Sequence, residues 1–243
     1  MNYAVEFYPE TSIGGFTDID DTFCFYTRVH SIITSSSVLL DFGCGRGACQ
    51  DDPVRLRREL RIFKGKVSRV IGLDVDQKGR DNPFVDEFRL LKPGDPWPVE
   101  GSSIDIAIAD QVVEHLADPA FFFSECKRVL KPSGYLCIRT TNVLGYVGLG
   151  ALLIPRRFHN GVLGVLRKGI KEDDSFPTIY RCNTIFQLRK MMTKYGFDHV
   201  CYGHNSEPNY LSFSKIAYAM GVFYQKYCPG FLKLTIYAFG RSI

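Results

Sequence analysis

Short apolar runs alternate along this chain with stretches whose apolar residues recur every three to four positions. Val38–Asp41, Arg69–Val75, Phe88–Leu91, Ile104–Asp110 and Tyr135–Thr141 read as strands, and segments 199–203 and 233–240 add two late ones. Helical spacing marks Asp52–Lys64, Asp118–Leu130 and Asn183–Gly196. Asp52 and Asp118 each stand before a proline, which predicts an N-cap with proline at the first helical position. Gly196 reads as a C-terminal stop. Strands alternating with helices predict an α/β fold with a doubly wound, mostly parallel sheet. The unbroken apolar run Ile104–Ala109 suits a strand buried on both faces.

In such sheets ligands bind beyond the carboxyl ends of the strands. Three acids stand there: Asp41, Asp74 and Asp110. The first is followed by Gly43, Gly45 and Gly47, a loop built for close backbone approach. Gly43, Gly45 and Ala48 also spell the G-x-G-x-x-A of a dinucleotide site. That site holds a pyrophosphate, which Asp41 would repel by about 4 kcal/mol at ~4 Å and an effective dielectric near 20. Asp74 follows Gly43 by 31 residues, further than the roughly 20 of a dinucleotide unit. A ligand with a cationic amino-acid end and no phosphate fits the acid better. S-adenosylmethionine is such a ligand.

Composition adds few constraints. The chain has 243 residues, 45% hydrophobic and 23% charged, enough for one large domain. A net charge of +4 is too small to argue for nucleic acid, and none is expected as a partner. Eight cysteines include no C-x-x-C pair, so they read as free thiols in a reducing compartment. The start of the chain has no basic, apolar leader, and the uncharged stretch from Thr140 to Pro155 is too short and glycine-rich to span a bilayer. The expectation is a cytoplasmic protein.

Four motifs in order, covering Val38–Asn142, resemble the class I S-adenosylmethionine-dependent methyltransferases. "LLDFGCGRG" resembles their acid followed by G-x-G-x-G, and "VIGLDVD" their ribose-binding acid, here Asp74. "WPVEGSSIDIAIADQVVEHLADP" resembles the LPF-x-D-x-SFD stretch with its E-H and D-P dipeptides. "KRVLKPSGYLCIRTTN" resembles the R-V-L-K-P-G-G strand entry, with Ser133 for a glycine and Thr141 for the proline of T-P-N. The resemblance implies a Rossmann-like, seven-stranded, mostly parallel sheet with helices on both faces, an N-terminal lid and helical insertions. It implies S-adenosylmethionine as cofactor, S-adenosylhomocysteine as product, and Asp41, Gly43, Cys44, Gly45, Gly47, Asp74, Val75, Asp110 and Gln111 as the residues that hold it. The family's acid after the third strand is missing from "RLLKPGDPWP", and Asp95 is the substitute candidate. "ACQDD" also intervenes between the glycine loop and its helix.

Methyl transfer from a sulfonium is an in-line displacement, in which alignment of the acceptor does most of the work. A hydroxyl acceptor gains from a general base. His115, with Glu114 beside it, is the candidate, against the plainer reading that the pair only shapes the loop. In ubiquinone O-methyltransferases an E-x-x-E-H motif binds a divalent ion, but here Gln111 replaces the first carboxylate, so no metal is expected. Methyl transfer to a small-molecule, sugar or lipid-linked acceptor is the favoured function. A non-catalytic cofactor-binding regulatory partner and a nicotinamide oxidoreductase are the alternatives.

The flanks divide the chain into 1–37, an N-terminal lid; 38–142, the cofactor-binding core; 143–183, an insertion over the acceptor site; and 184–243, the end of the sheet with an inserted aromatic helix. The patterns "GGF…D…FYTRV" and "DDSFPT…YRCNT" are loosely similar to bacterial methyltransferases of polysaccharide or other secondary-product assembly. Tyr26 and Arg28 in the lid, and Tyr180, Arg181 and Asn183 after the insertion, are the substrate-binding candidates. Arg156, Arg157, Arg167 and Lys168 punctuate apolar runs in the insertion. Phe213, Ile216, Ala217, Met220, Phe223, Tyr224 and Tyr227 follow helical spacing. Such a stripe reads first as core packing, with peripheral membrane contact or a homodimer as the alternatives.

Overall fold

The computed structural model describes residues 3–153 and 177–243. Arg156, Arg157, Arg167 and Lys168 lie outside the described residues. Seven strands form one sheet: β1 Val38–Phe42, β2 Arg69–Asp74, β3 Glu87–Leu90, β4 Ile104–Asp110, β5 Leu130–Thr141, β6 Phe197–His204 and β7 Thr235–Ser242. Their order is β3-β2-β1-β4-β5-β7-β6. The first five run parallel, and β7 is antiparallel to both β5 and β6. The Rossmann-like, mostly parallel sheet expected from the sequence is therefore the fold observed. The chain reverses between β1 and β4, so a crevice opens above their carboxyl ends.

The helices are α1 Tyr3–Phe7, α2 Asp21–His30, α3 Arg55–Arg61, α4 Pro119–Val129, α5 Tyr146–Leu153, α6 Ile185–Lys194 and α7 Lys215–Tyr227. Strand residues alternate between two cores. Leu40, Phe42, Ile71, Leu73, Ala107 and Leu136 pack with Phe122, Phe123 and Cys126 of α4 and Leu188 and Met192 of α6. Leu39, Val70, Ile106, Ile108 and Cys137 pack with Phe25, Tyr26 and Val29 of α2 and with Phe63. Helices thus cover both faces.

The local signals mostly set the helix ends. Asp118 caps α4 by accepting from the Phe121 amide, and Thr184 caps α6 by accepting from Gln187. Gly196 follows α6 with φ +73°, the left-handed stop expected of it. Asp52 is a correction. It does not cap α3, which begins at Arg55 after Val54. Its carboxylate instead binds the Val54 amide at 2.9 Å and the Arg57 guanidinium, which draws it into an ion pair.

The segment before β1 is less a loose lid than a packed layer. Asp20 caps α2 through the Thr22 and Phe23 amides. Phe25 and Val29 are fully buried against the sheet. One polar group crosses this layer: Arg139 of β5, buried, holds Asp110 of β4 at 2.6 and 2.7 Å and Asp21 of α2 at 3.0 Å. Its guanidinium lies over the Phe25 and Tyr26 rings, and Tyr237 bonds the same Asp21 at 2.6 Å.

Removing one member of a buried ion cluster strands the others, which costs about 3–5 kcal/mol. Arg139→Met is therefore expected to lower unfolding stability by that amount in urea titrations. Arg28→Ala, at an exposed position of the same layer, should change it by less than about 0.5 kcal/mol.

Candidate active site

Above β1, β2 and β4 lies a cleft of about 670 Å³, within the size range of small-molecule sites. The glycine loop forms its floor. Gly43, with φ +77°, donates its amide to Leu73 at 2.7 Å. A Cβ there would fall 2.4 Å from Val112, so both backbone and space require glycine. At Gly45, with φ +50°, a Cβ would meet no atom within 4 Å. Packing does not demand glycine at that point, so what it leaves is clearance for a ligand against the backbone. After Gly47 the chain makes only a single 3-10 turn, Ala48–Asp51, and α3 starts later. The helix N-terminus on which a pyrophosphate would sit is displaced, which counts against a dinucleotide.

The three strand-end acids have separate fates. Asp74 accepts from the Gly45 amide at 2.8 Å through one oxygen and from the Asp76 amide at 2.9 Å through the other, and so fixes the loop. Asp110 is taken up by Arg139 and by the Tyr26 hydroxyl at 2.7 Å, with Arg61 at 3.9 Å. Burial pushes its carboxyl up, but the charges of Arg139 and Arg61 and these hydrogen bonds outweigh burial and hold it below the usual range. Asp41 accepts no hydrogen bond among the described residues. Burial, then the charge of Asp110, push its carboxyl up to about 7, against the pull of Arg61. A half-buried acid with no ion-pair partner within reach among the described residues, beside a floor of clearance, fits the ammonium of an amino-acid ligand.

The cleft wall also carries Cys44, Cys49, Arg61, Val75, Leu91, Trp97, Gln111, Val112, His115 and Leu116. Val75, Leu91, Val112 and Leu116 give it an apolar side suited to a planar base. Burial and the charges of Asp41 and Asp74 push the Cys44 thiol up, so it is no thiolate nucleophile. Gln111 adopts φ +55°, a left-handed conformation rare outside glycine, at the end of β4. Its amide bonds the Arg139 carbonyl at 2.8 Å. His115 Nδ1 donates to the Pro177 carbonyl at 2.9 Å, which in the neutral ring leaves the lone pair on Nε2.

Of the candidates drawn from the sequence, Asp41, Gly43, Cys44, Gly45, Gly47, Asp74, Val75, Asp110, Gln111, His115 and Tyr26 come together on this cleft. The others do not. Asp95 is exposed in the Lys92–Asp95 turn, carried outward by Gly94 at φ +87°. Glu114 is buried away from the wall, accepting from the Thr140 hydroxyl at 2.7 Å, because its turn points it into the sheet. Arg28 is exposed and lies over the Tyr202 ring. Tyr180, Arg181 and Asn183 are braces. The Tyr180 amide donates to the Glu114 carbonyl, Arg181 to the Ala117 carbonyl at 2.7 Å, and Asn183 to Thr140 and Thr141. They support the turn that carries His115. One residue that sequence reasoning missed is Asn82. Its amide bonds the carbonyls of Cys44 and Gly45 at 2.9 and 3.1 Å and locks the loop from behind. The only trace of it in the sequence is its place before Pro83, a turn signal.

Asp41 makes the ligand-free protein pH-sensitive. Its carboxyl is raised in the folded state, so its contribution to stability is full below the unfolded value near ~4 and is lost as pH rises through about 7. Thermal melting should show that loss between pH ~4 and ~7, and Asp41→Asn should flatten it. A cationic ligand needs the ionised acid, so calorimetric affinity for S-adenosylhomocysteine should climb with pH by up to about tenfold per unit below 7.

A family model described as methyltransferase domain matches residues 40–138. A probable S-adenosylmethionine-dependent methyltransferase of Mycolicibacterium smegmatis is 34% identical over 111 residues, 43% of this chain and 38% of that protein. A ubiquinone biosynthesis O-methyltransferase of Xanthomonas oryzae pv. oryzae is 30% identical over 135 residues, 50% of this chain and 54% of its own. The chain thus spans about half or less of the length of the curated relatives it matches. Among solved structures, an S-adenosylmethionine-dependent methyltransferase from Archaeoglobus fulgidus shares the fold with TM-score 0.56 at 16% identity, over 98% of this chain and 99% of that one. The strand-end acids and the left-handed glycine loop agree with these likenesses: residues 40–138 are a methyltransferase domain of the class I S-adenosylmethionine-dependent kind, with S-adenosylmethionine as its cofactor, and the solved structure adds the shared fold.

Proposed function

We propose that this protein transfers a methyl group from S-adenosylmethionine to a hydroxyl of a small or lipid-linked acceptor. The observation that carries the reading is the unpaired Asp41 at the mouth of the glycine loop, between Asp74 and the ion-paired Asp110. Asp41 would hold the ammonium of the cofactor, Asp74 the ribose hydroxyls, and Val75 and Leu91 the base. When bound, the cofactor supplies a methyl group on a cationic sulfur with a neutral leaving group.

The chain's own task is then alignment and proton removal. His115 stands on the cleft wall with its Nδ1 anchored to the Pro177 carbonyl, so Nε2 is the atom that would take the acceptor's proton. The brace of Ile179 and Tyr180 on the Glu114 carbonyl, at 2.7 and 3.1 Å, holds its turn in place. Relatives named as O-methyltransferases agree with an oxygen acceptor.

Titration calorimetry with S-adenosylhomocysteine and with NAD is the first test. Micromolar binding of the former alone is expected, and the reverse would overturn the reading. Asp74→Asn should weaken S-adenosylhomocysteine by about tenfold, since it removes an ionised acceptor worth ~1.5 kcal/mol. Labelled methyl transfer to sugar and lipid extracts identifies the acceptor. On that acceptor His115→Gln is expected to lower kcat by about 100-fold or more, with cofactor affinity unchanged. Transfer only to protein or RNA would remove the small-molecule claim.

A further inference from the structure

The aromatic stripe near the end of the chain is not core. Phe213, Ile216, Met220, Phe223 and Tyr227 are between 63% and 76% exposed. The core-packing expectation for these residues is overturned, because α7 turns the opposite face inward. Tyr218 and Gly221 are buried there, with Tyr3 and Phe7 of α1 against Tyr218. At 3.6 residues per turn, Ile216, Met220, Phe223 and Tyr227 fall within an arc of roughly 60°. An exposed apolar stripe of this size is unusual on a monomer.

Its charge surroundings point to one partner. Residues 208–243 contain no acid, while Lys215, Lys226 and Lys233 are basic. Lys215 and Lys226 fall within roughly 20° of each other along one flank of the stripe. Lys226 lies over the Tyr227 ring, and Lys215 pairs with Glu6. A narrow apolar face bordered by lysines, with tyrosine and phenylalanine on it, suits a helix lying in the plane of a bilayer surface with anionic headgroups. No helix among the described residues is long and apolar enough to cross a membrane.

Thr235 pairs with Thr141 of β5 and with His204 of β6, so the connection bearing α7 rises from the same sheet edge as the cleft. We infer that α7 docks this protein on an anionic lipid surface through Phe213, Ile216, Met220, Phe223 and Tyr227. The inference stands apart from the reaction proposed above, because it concerns a different face and needs no catalysis.

The full chain is mixed with vesicles of phosphatidylcholine alone and of phosphatidylcholine and phosphatidylglycerol in equal parts, and sedimented. Binding to the anionic vesicles about tenfold stronger than to the neutral ones, and weakened by salt, is expected. The double variant Met220→Glu, Phe223→Glu should lose about tenfold or more of that binding. Both positions are exposed, so its thermal midpoint and its S-adenosylhomocysteine affinity report whether the fold is intact. Equal binding to both vesicles, or to neither, would overturn the inference. So would full binding by a folded double variant. Sedimentation equilibrium tests the other occupant: a wild-type dimer that ignores vesicles and becomes monomeric in the double variant would assign the face to a second copy.

Discussion

The guanidinium of Arg139 is the group on which the rest of this structure leans. It joins β5 to β4 through Asp110 and to α2 through Asp21, inside a layer that is otherwise apolar. Three acids at neighbouring strand ends would repel one another if all were ionised and bare. Arg139 lessens that conflict by pairing with Asp110, and α2 is fastened to the sheet by the same guanidinium. The segment before β1 is thereby part of the folded body, and Tyr26 is carried to the cleft with its hydroxyl already committed to Asp110.

The pairing of Asp110 with Arg139 sets Asp41 apart. With its neighbour paired and Asp74 bonded to two backbone amides, Asp41 is the strand-end acid without a hydrogen bond among the described residues. Its high proton affinity in the ligand-free protein follows from desolvation and from the charge of Asp110, against the pull of Arg61. On the proposed reading, the site holds its preference for a positively charged ligand as an unmade interaction at Asp41.

Much of this was legible in the sequence because it depends on local geometry. Continuous apolar runs gave the strands, and alternating glycines the left-handed loop, since few other residues take positive φ. What could not be read depends on distant partners. Asn82 locks the loop from 38 residues away. Glu114 is claimed by Thr140, so the E-H pair divides into one buried support and one cleft residue. Asp52 looked like a cap and became the partner of Arg57. The stripe on α7 was misjudged for another reason. A period of 3.6 residues says that one face is apolar, but not whether that face meets the core or the outside.

Asn142, buried where β5 ends, gathers the roots of both insertions. Its side chain donates to the carbonyls of Phe231 and Lys233 at 2.8 and 2.6 Å, and its oxygen accepts from Leu144 at 3.1 Å. Asn205 fixes the other end of the β6–β7 connection by accepting from the Leu234 amide at 2.8 Å. The two asparagines make this end of the sheet a socket with set terminals. The aromatic helix is in that sense a cassette. Its splice points are set by two amide side chains, and Tyr218 and Tyr224 fasten its body to α1 and α5.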